Sequence, residues 1–217
     1  MGLGEINRGG NITFLKIVPG AIIAKKTTED DIRAVKREYE DANGKKGHVF
    51  ERQFDNLSGI ISNISFNKGN YGEEFIILIK DDGENYRLSM NISQIKNSLY
   101  ANSFLSKLRN IDLTKEVTLK PYDFITKEGK KQTGMTVTQD GNKLGNSYYD
   151  TKTKKLLVKS FPTIENWSES TQEDRDMYNL QLKSFYKKEV SKLKFPETPK
   201  KVEKKAEDVP ESDDLPF

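Results

Sequence analysis

Cysteine is absent from the 217-residue chain, which excludes disulfides, thiolate nucleophiles and cysteine-ligated zinc together. Histidine occurs once, as His48 in a charged stretch, so neither a Ser-His-Asp nor a Cys-His arrangement can be assembled around it. No Gly-Lys-Ser or Gly-Lys-Thr loop is present to cradle a nucleotide phosphate. No apolar run approaches the about 18 residues that would cross a membrane, and Met1 to Gly10 lacks the apolar core of a secretory leader. One enzymatic route remains, a carboxylate-metal nuclease built on Glu73-Glu74 or Asp81-Asp82. Adjacent residues of a strand point to opposite faces, and Asp81-Asp82-Gly83 is accounted for by a hairpin turn. The expectation is a soluble, cytoplasmic, non-catalytic protein with no cofactor, no metal and no membrane partner.

What is present is charge and short apolar segments. Aromatic residues make up 10% of the chain and are spread along its body, so a core is expected even though charged residues reach 32%. Residues 12 to 17 and 21 to 25 read as two strands around the turn Val18-Pro19-Gly20, a hairpin appended to the main sheet. From Thr27 to Lys46 the chain is dense in charge. A short helix through Arg33, Val35 and Tyr39, ended by Asn43-Gly44, is one reading of it, and a mobile loop is the other.

Alternation is clearest between Val49 and Gly141. Leu57 to Phe66, Phe75 to Lys80 and Tyr86 to Ile92 read as three meandering strands. Residues 93 to 111 carry Ile95, Leu99, Leu105, Leu108 and Ile111 at helical spacing, and strands over 117 to 122 and 133 to 138 follow. Three strands, a helix and two strands is the order of the five-stranded OB barrel, although period counting alone leaves other α+β topologies open. Lys143 to Ser160 adds a hairpin. Ser170-Thr-Gln-Glu173 has capping-box spacing, and Tyr178, Leu182, Phe185, Tyr186, Val190 and Leu193 follow on one helical face that ends near Lys194. That helix packs on the body or on a second subunit. The domain reading is residues 1–195 as one β-rich body, with 196–217 as a disordered linker and tail.

The last twelve residues, from Ala206 to Phe217, hold five carboxylates and no Lys or Arg. The whole chain carries +3, from 36 basic and 33 acidic residues, so the body without this tail is strongly basic. Pro216 restricts the backbone, Phe217 offers a ring to bury, and the terminal carboxylate suits a cation at a pocket rim. Asp213-Asp214-Leu215-Pro216-Phe217 resembles the tail tip of bacterial and phage single-stranded DNA-binding proteins, which usually reads Asp-Asp-Ile-Pro-Phe; Leu215 stands in place of Ile. The layout is also similar to the single-strand binders of tailed bacteriophages of the crAss-like group. The resemblance implies an OB-fold body, a tail that recruits replication, recombination and repair proteins, and residence in a host cytoplasm.

Holding single strands without reading sequence takes cations for phosphates and aromatic faces for bases. On the OB reading, strand parity turns Leu88, Met90, Val117 and Leu119 inward and Arg87, Lys120, Tyr122 and Phe124 outward. Lys68 and Tyr71 fall in the loop between the first two strands of the barrel. Lys130 and Lys131 fall in the loop between its last two, and Lys80 sits at a strand end. The expected stackers are Tyr71, Tyr122 and Phe124. The expected phosphate contacts are Lys68, Lys80, Arg87, Lys120, Lys130 and Lys131. A single-stranded RNA binder and a protein-interaction scaffold are the competing readings.

Overall fold

The computed structural model describes residues 12–41, 44–69, 72–92, 99–164 and 166–196. Tyr71, the tail tip Asp213 to Phe217 and most of the linker lie outside the described residues. The architecture is mainly β with a C-terminal helix. Among the described residues ten strands form one sheet, in the order Asn142–Lys143, Lys131–Gln139, Glu116–Ile125, Leu57–Gly69, Gly72–Asp81, Glu84–Asn91, Ile12–Val18, Ile22–Thr27, Lys46–Phe54 and Val35–Glu40.

The sheet is built outward from β5 (Leu57–Gly69), which pairs antiparallel with β6 (Gly72–Asp81) on one side and β8 (Glu116–Ile125) on the other. β7 (Glu84–Asn91) continues the meander, and β9 (Lys131–Gln139) pairs with β8. Between β7 and β8 comes α1 (Leu99–Leu105), followed by a 3-10 turn over Leu108–Asn110. The helical spacing over 93 to 111 thus resolves into two shorter pieces, with residues 93 to 98 outside the described set. Ala101, Phe104, Leu105 and Leu108 still reach the core, because a helix and a tight turn in succession keep the apolar side chains on one side.

The closed five-stranded barrel is not seen. The far edge of β7 is taken by β1 (Ile12–Val18), which runs parallel to it from Ile12 opposite Asn85 to Lys16 opposite Ser89. β2 (Ile22–Thr27) returns antiparallel, so the N-terminal hairpin is part of the sheet itself. The edge of β9 is met by α1: Ser103 Oγ donates to Met135 O at 3.1 Å and accepts from Met135 N at 2.9 Å. A side chain on a helix takes up the two backbone groups that a neighbouring strand would have used.

Within the charged stretch from 27 to 46 the described residues form no helix: 28–34 make turns, and 35–40 are a strand. β3 (Val35–Glu40) and β4 (Lys46–Phe54) form a hairpin that joins the sheet through β2. The charged side chains conceal a period of two: Val35, Arg37 and Tyr39 share one face, and Lys36, Glu38 and Glu40 the other. Arg37 belongs on its face because Glu51, fully buried opposite Val35, accepts its guanidinium at 2.7 and 2.8 Å.

The core lies between the concave side of the sheet and the helices, with Leu15, Ile23, Ile61, Ile77, Leu88, Phe104, Leu119 and Met135 at its centre. Each such side chain, once buried, contributes about 1.5 to 3 kcal/mol. β10 (Asn142–Lys143) turns back and pairs antiparallel with the end of β9, and β11 (Tyr149–Asp150) with β12 (Lys155–Leu156) makes a small separate hairpin in the region expected to hold one. α2 (Gln172–Val190) starts one residue later than the capping spacing implied: Thr171 and Asp174 form the reciprocal box. It closes the core with Leu182, Tyr186 and Val190, while Phe185 meets Tyr148 edge-on at 5.2 Å. Glu73 on β6 receives Lys183 and Lys187, and Glu189 receives Arg109 Nε at 2.6 Å, so ion pairs hold the C-terminal half of α2 to the body.

Candidate nucleic-acid interface

The candidate site lies on the side of the sheet turned away from the core, the convex face, and cross-strand register defines it. Opposed residues of paired strands share a face. Following that rule from strand to strand joins Lys120 with Thr136, Tyr122 with Gly134 and Phe124 with Gln132 on β8–β9. Ser58 and Thr118, whose hydroxyls are 2.8 Å apart, carry the same face onto β5. Ile60 meets Lys80, which meets Asn85. Arg87 lies between Leu78 on β6 and Phe14 on β1. The inward partners, among them Leu88, Met90, Val117 and Leu119, are buried as parity requires.

Two clusters stand out on this face. On β8, Phe124 is 53% exposed, its ring centroid is 5.7 Å from that of the half-buried Tyr122, and Lys120 is exposed beside them. On β7 and β1, the Arg87 guanidinium lies 5.5 Å over the Phe14 ring, which is 62% exposed. Arg87 also donates to Ser89 Oγ at 3.3 Å and to Glu74 Oε2 at 3.4 Å. Those long contacts and the stacked ring fix the fork in place while leaving a donor edge to solvent. Around these groups the face carries Asn, Ser, Thr and Gln side chains that donate and accept, with Ile60, Ile76 and Leu78 between them and two carboxylates, Glu74 paired with Arg87 and Glu116 opposite Ile60.

Tyr122 is positioned by what its partner lacks. A Cβ on Gly134 would sit 2.5 Å from Tyr122 Oη and 2.8 Å from its Cζ, so the phenol end occupies the space above the glycine. A cross-strand aromatic covering a glycine is a known way to seal a sheet, and it turns one side of the ring against the backbone.

The remaining expected residues are distributed differently. Lys80 is half-buried on the convex face of β6. Lys68 lies within β5, because that strand runs on to Gly69; it is exposed opposite Glu73, on the side facing α2 and away from Arg87. Lys130 is exposed in the turn after β8, and Lys131 opens β9 with its ammonium 3.2 Å from Asp123. Asp123 points to the other side from Tyr122 and accepts from Thr133 at 2.9 Å, so Lys131 is held at the hairpin rather than on the convex face. Phe14 was not expected. Its signal, Ile12-Thr-Phe-Leu-Lys-Ile, is apolar at both parities, and only pairing with β7 tells which side faces solvent.

The acidic pairs are also accounted for. Glu73 and Glu74 point to opposite sides, the first to Lys183 and Lys187 and the second to Arg87. Among the described residues no group of three or more metal-ligating side chains is gathered, and no helix is long and apolar enough to cross a membrane. No protein-family model, curated protein or solved structure matches the chain.

Proposed function

We propose that this protein binds single-stranded DNA without reading its sequence, on the convex face of β1 and β5–β9, as a non-catalytic component of replication, recombination and repair. The observation that carries the reading is the pair of large aromatic rings, Phe14 and Phe124, each more than half exposed on one sheet face: Phe14 carries the Arg87 guanidinium over its ring, and Phe124 adjoins Tyr122 on the strand that exposes Lys120. Core aromatics are buried, and surface aromatics serving only solubility have no reason to sit beside cations on a polar face. Rings for bases and cations for phosphates are what a sequence-tolerant single-strand site needs.

The OB reading of β5–β9 is part of the same proposal. It is supported by β5 pairing with both β6 and β8, and by a helix between the third and fourth of these strands. The N-terminal hairpin then takes the place beside the third strand where the barrel would otherwise close. The acidic tail tip, Asp213 to Phe217, serves in this proposal as the recruiting segment for replication and recombination proteins.

The test is fluorescence anisotropy of a labelled oligothymidine at two salt concentrations, with a duplex and a matched RNA oligomer as competitors. Tight binding that weakens with salt and resists the duplex is expected. Phe124→Ala should weaken it by about 1 to 3 kcal/mol with the melting temperature unchanged. No binding at either salt would overturn the proposal, and preference for the RNA oligomer would replace DNA with RNA as the ligand. Added magnesium should leave the oligomer uncut.

A further inference from the structure

The convex face does not stop at β1. Lys16 on β1 stands opposite Ala24 on β2, Ala24 opposite Gln53 on β4, and Lys26 opposite Glu51, while Glu51, Val49 and Gly47 face Val35, Arg37 and Tyr39 on β3. Tyr39 therefore lies on the same side of the same sheet as Tyr122, at its opposite end. The local arrangement is repeated. A Cβ on Gly47 would sit 2.8 Å from Tyr39 Cζ and 2.9 Å from its Oη, as Tyr122 covers Gly134. Tyr39 is 47% exposed, so one side of the ring rests on the strand and the other meets solvent.

The ground between Phe14 and Tyr39 is cationic. Lys16, Lys26 and Arg37 occupy it against one carboxylate, Glu51, which is fully buried beneath Lys16 at 3.0 Å and Arg37 at 2.7 Å. Arg37 is the chief cause that holds the Glu51 carboxyl below the usual carboxylate range. The buried charge is thus neutralised from within, and the solvent side keeps a positive excess that complements a polyanion.

We propose that Tyr39 over Gly47 is a second stacking platform, which takes a further base of the single strand held at Phe14 and Phe124. The inference rests on the reading given under Proposed function and extends its footprint. Three strand spacings of about 4.8 Å and four residues of about 3.3 Å separate Phe14 from Tyr39 by about 20 Å. That is about six nucleotides at a stacked rise of about 3.4 Å, and fewer in an extended strand.

The experiment compares oligothymidines of about 3 nucleotides, too short to span that separation, and about 25 nucleotides on the full chain, using Tyr39→Ala, Tyr39→Ile and Tyr39→Phe. Ile keeps an apolar cover on Gly47 and favours a strand, yet offers no π face. Tyr39→Ala and Tyr39→Ile should each lose about 5- to 150-fold in affinity for the long oligomer, the range of one base-aromatic stack, and under about twofold for the short one. Tyr39→Phe should match the parent. Parent-like binding of the long oligomer by Tyr39→Ile, while Phe14→Ala and Phe124→Ala weaken it, overturns the second platform and leaves the function standing. Absence of binding by the parent overturns the function and the platform together.

Discussion

The two ends of the sheet use one local device under different support. At β8–β9, Tyr122 covers Gly134; at β3–β4, Tyr39 covers Gly47. The first end is braced by α1, whose Ser103 bonds both backbone groups of Met135, and Gly134 is buried. The second end has no further strand beyond β3 among the described residues, and charge braces it. Arg37 and Lys16 close on Glu51, while Arg52 and Thr27 close on Asp31 at the turn before β3. A packed core tolerates little change, whereas an arm held by ion pairs responds to charge and pH.

The largest expected effect follows from that contrast. Glu51→Ala removes the carboxylate that lies between Lys16 and Arg37 and leaves the two cations facing each other on a partly dry surface. It should cost about 2 to 4 kcal/mol, below the full penalty for a buried pair because Lys16 and Arg37 reach solvent. Thermal melting would record the loss, and amide exchange should localise it to β2–β4 while β8–β9 keeps its protection. Loosening spread evenly over both ends would show that the arm is not a separately braced unit.

Next in size is a matched pair of glycine substitutions. Gly134→Ala drives a methyl into Tyr122 and Ser103 at a buried position, and should destabilise by about 2 kcal/mol. Gly47→Ala meets only the half-exposed Tyr39 ring, which can swing outward, and should cost less than about 1 kcal/mol. Chemical denaturation of both variants gives the comparison directly; equal costs would mean that Tyr39 is as firmly packed as Tyr122.

The smallest effect is that of acid. Because the Glu51 carboxyl titrates below its ordinary range in the folded chain, its stabilisation is complete above that range and is lost as pH falls through the lowered value. Exchange protection of β3–β4 should hold at neutral and mildly acidic pH and fall in strong acid before that of β8–β9. Loss of arm protection already near neutral pH would assign the bracing to some other group.

Legibility in the sequence followed the same division. Strands β5 and β7 to β9 alternate apolar and polar residues because one side is core, whereas β6 is apolar on both sides from Phe75 to Ile79; so Leu88, Met90, Val117 and Leu119 announced their direction and Arg87, Lys120, Tyr122 and Phe124 theirs. β3 and β4 have no apolar core beneath most of their length; β3 is exposed at every position except the partly covered Arg37. Without that contrast the period of two is carried by charges, and Arg33, Val35 and Tyr39 fall at spacings a helix also allows. Open closure was equally hidden. That β7 pairs with β1 is a long-range choice, and no local spacing encodes it.

The most direct measurement is ultraviolet cross-linking of a thymidine oligomer to the full chain, followed by mapping of the modified peptides. The account predicts adducts on the peptides containing Phe14 and Phe124, with Tyr39 joining them as the oligomer is lengthened. Adducts confined to peptides of α2 or of the concave side, with Phe14 and Phe124 unmodified, would contradict it.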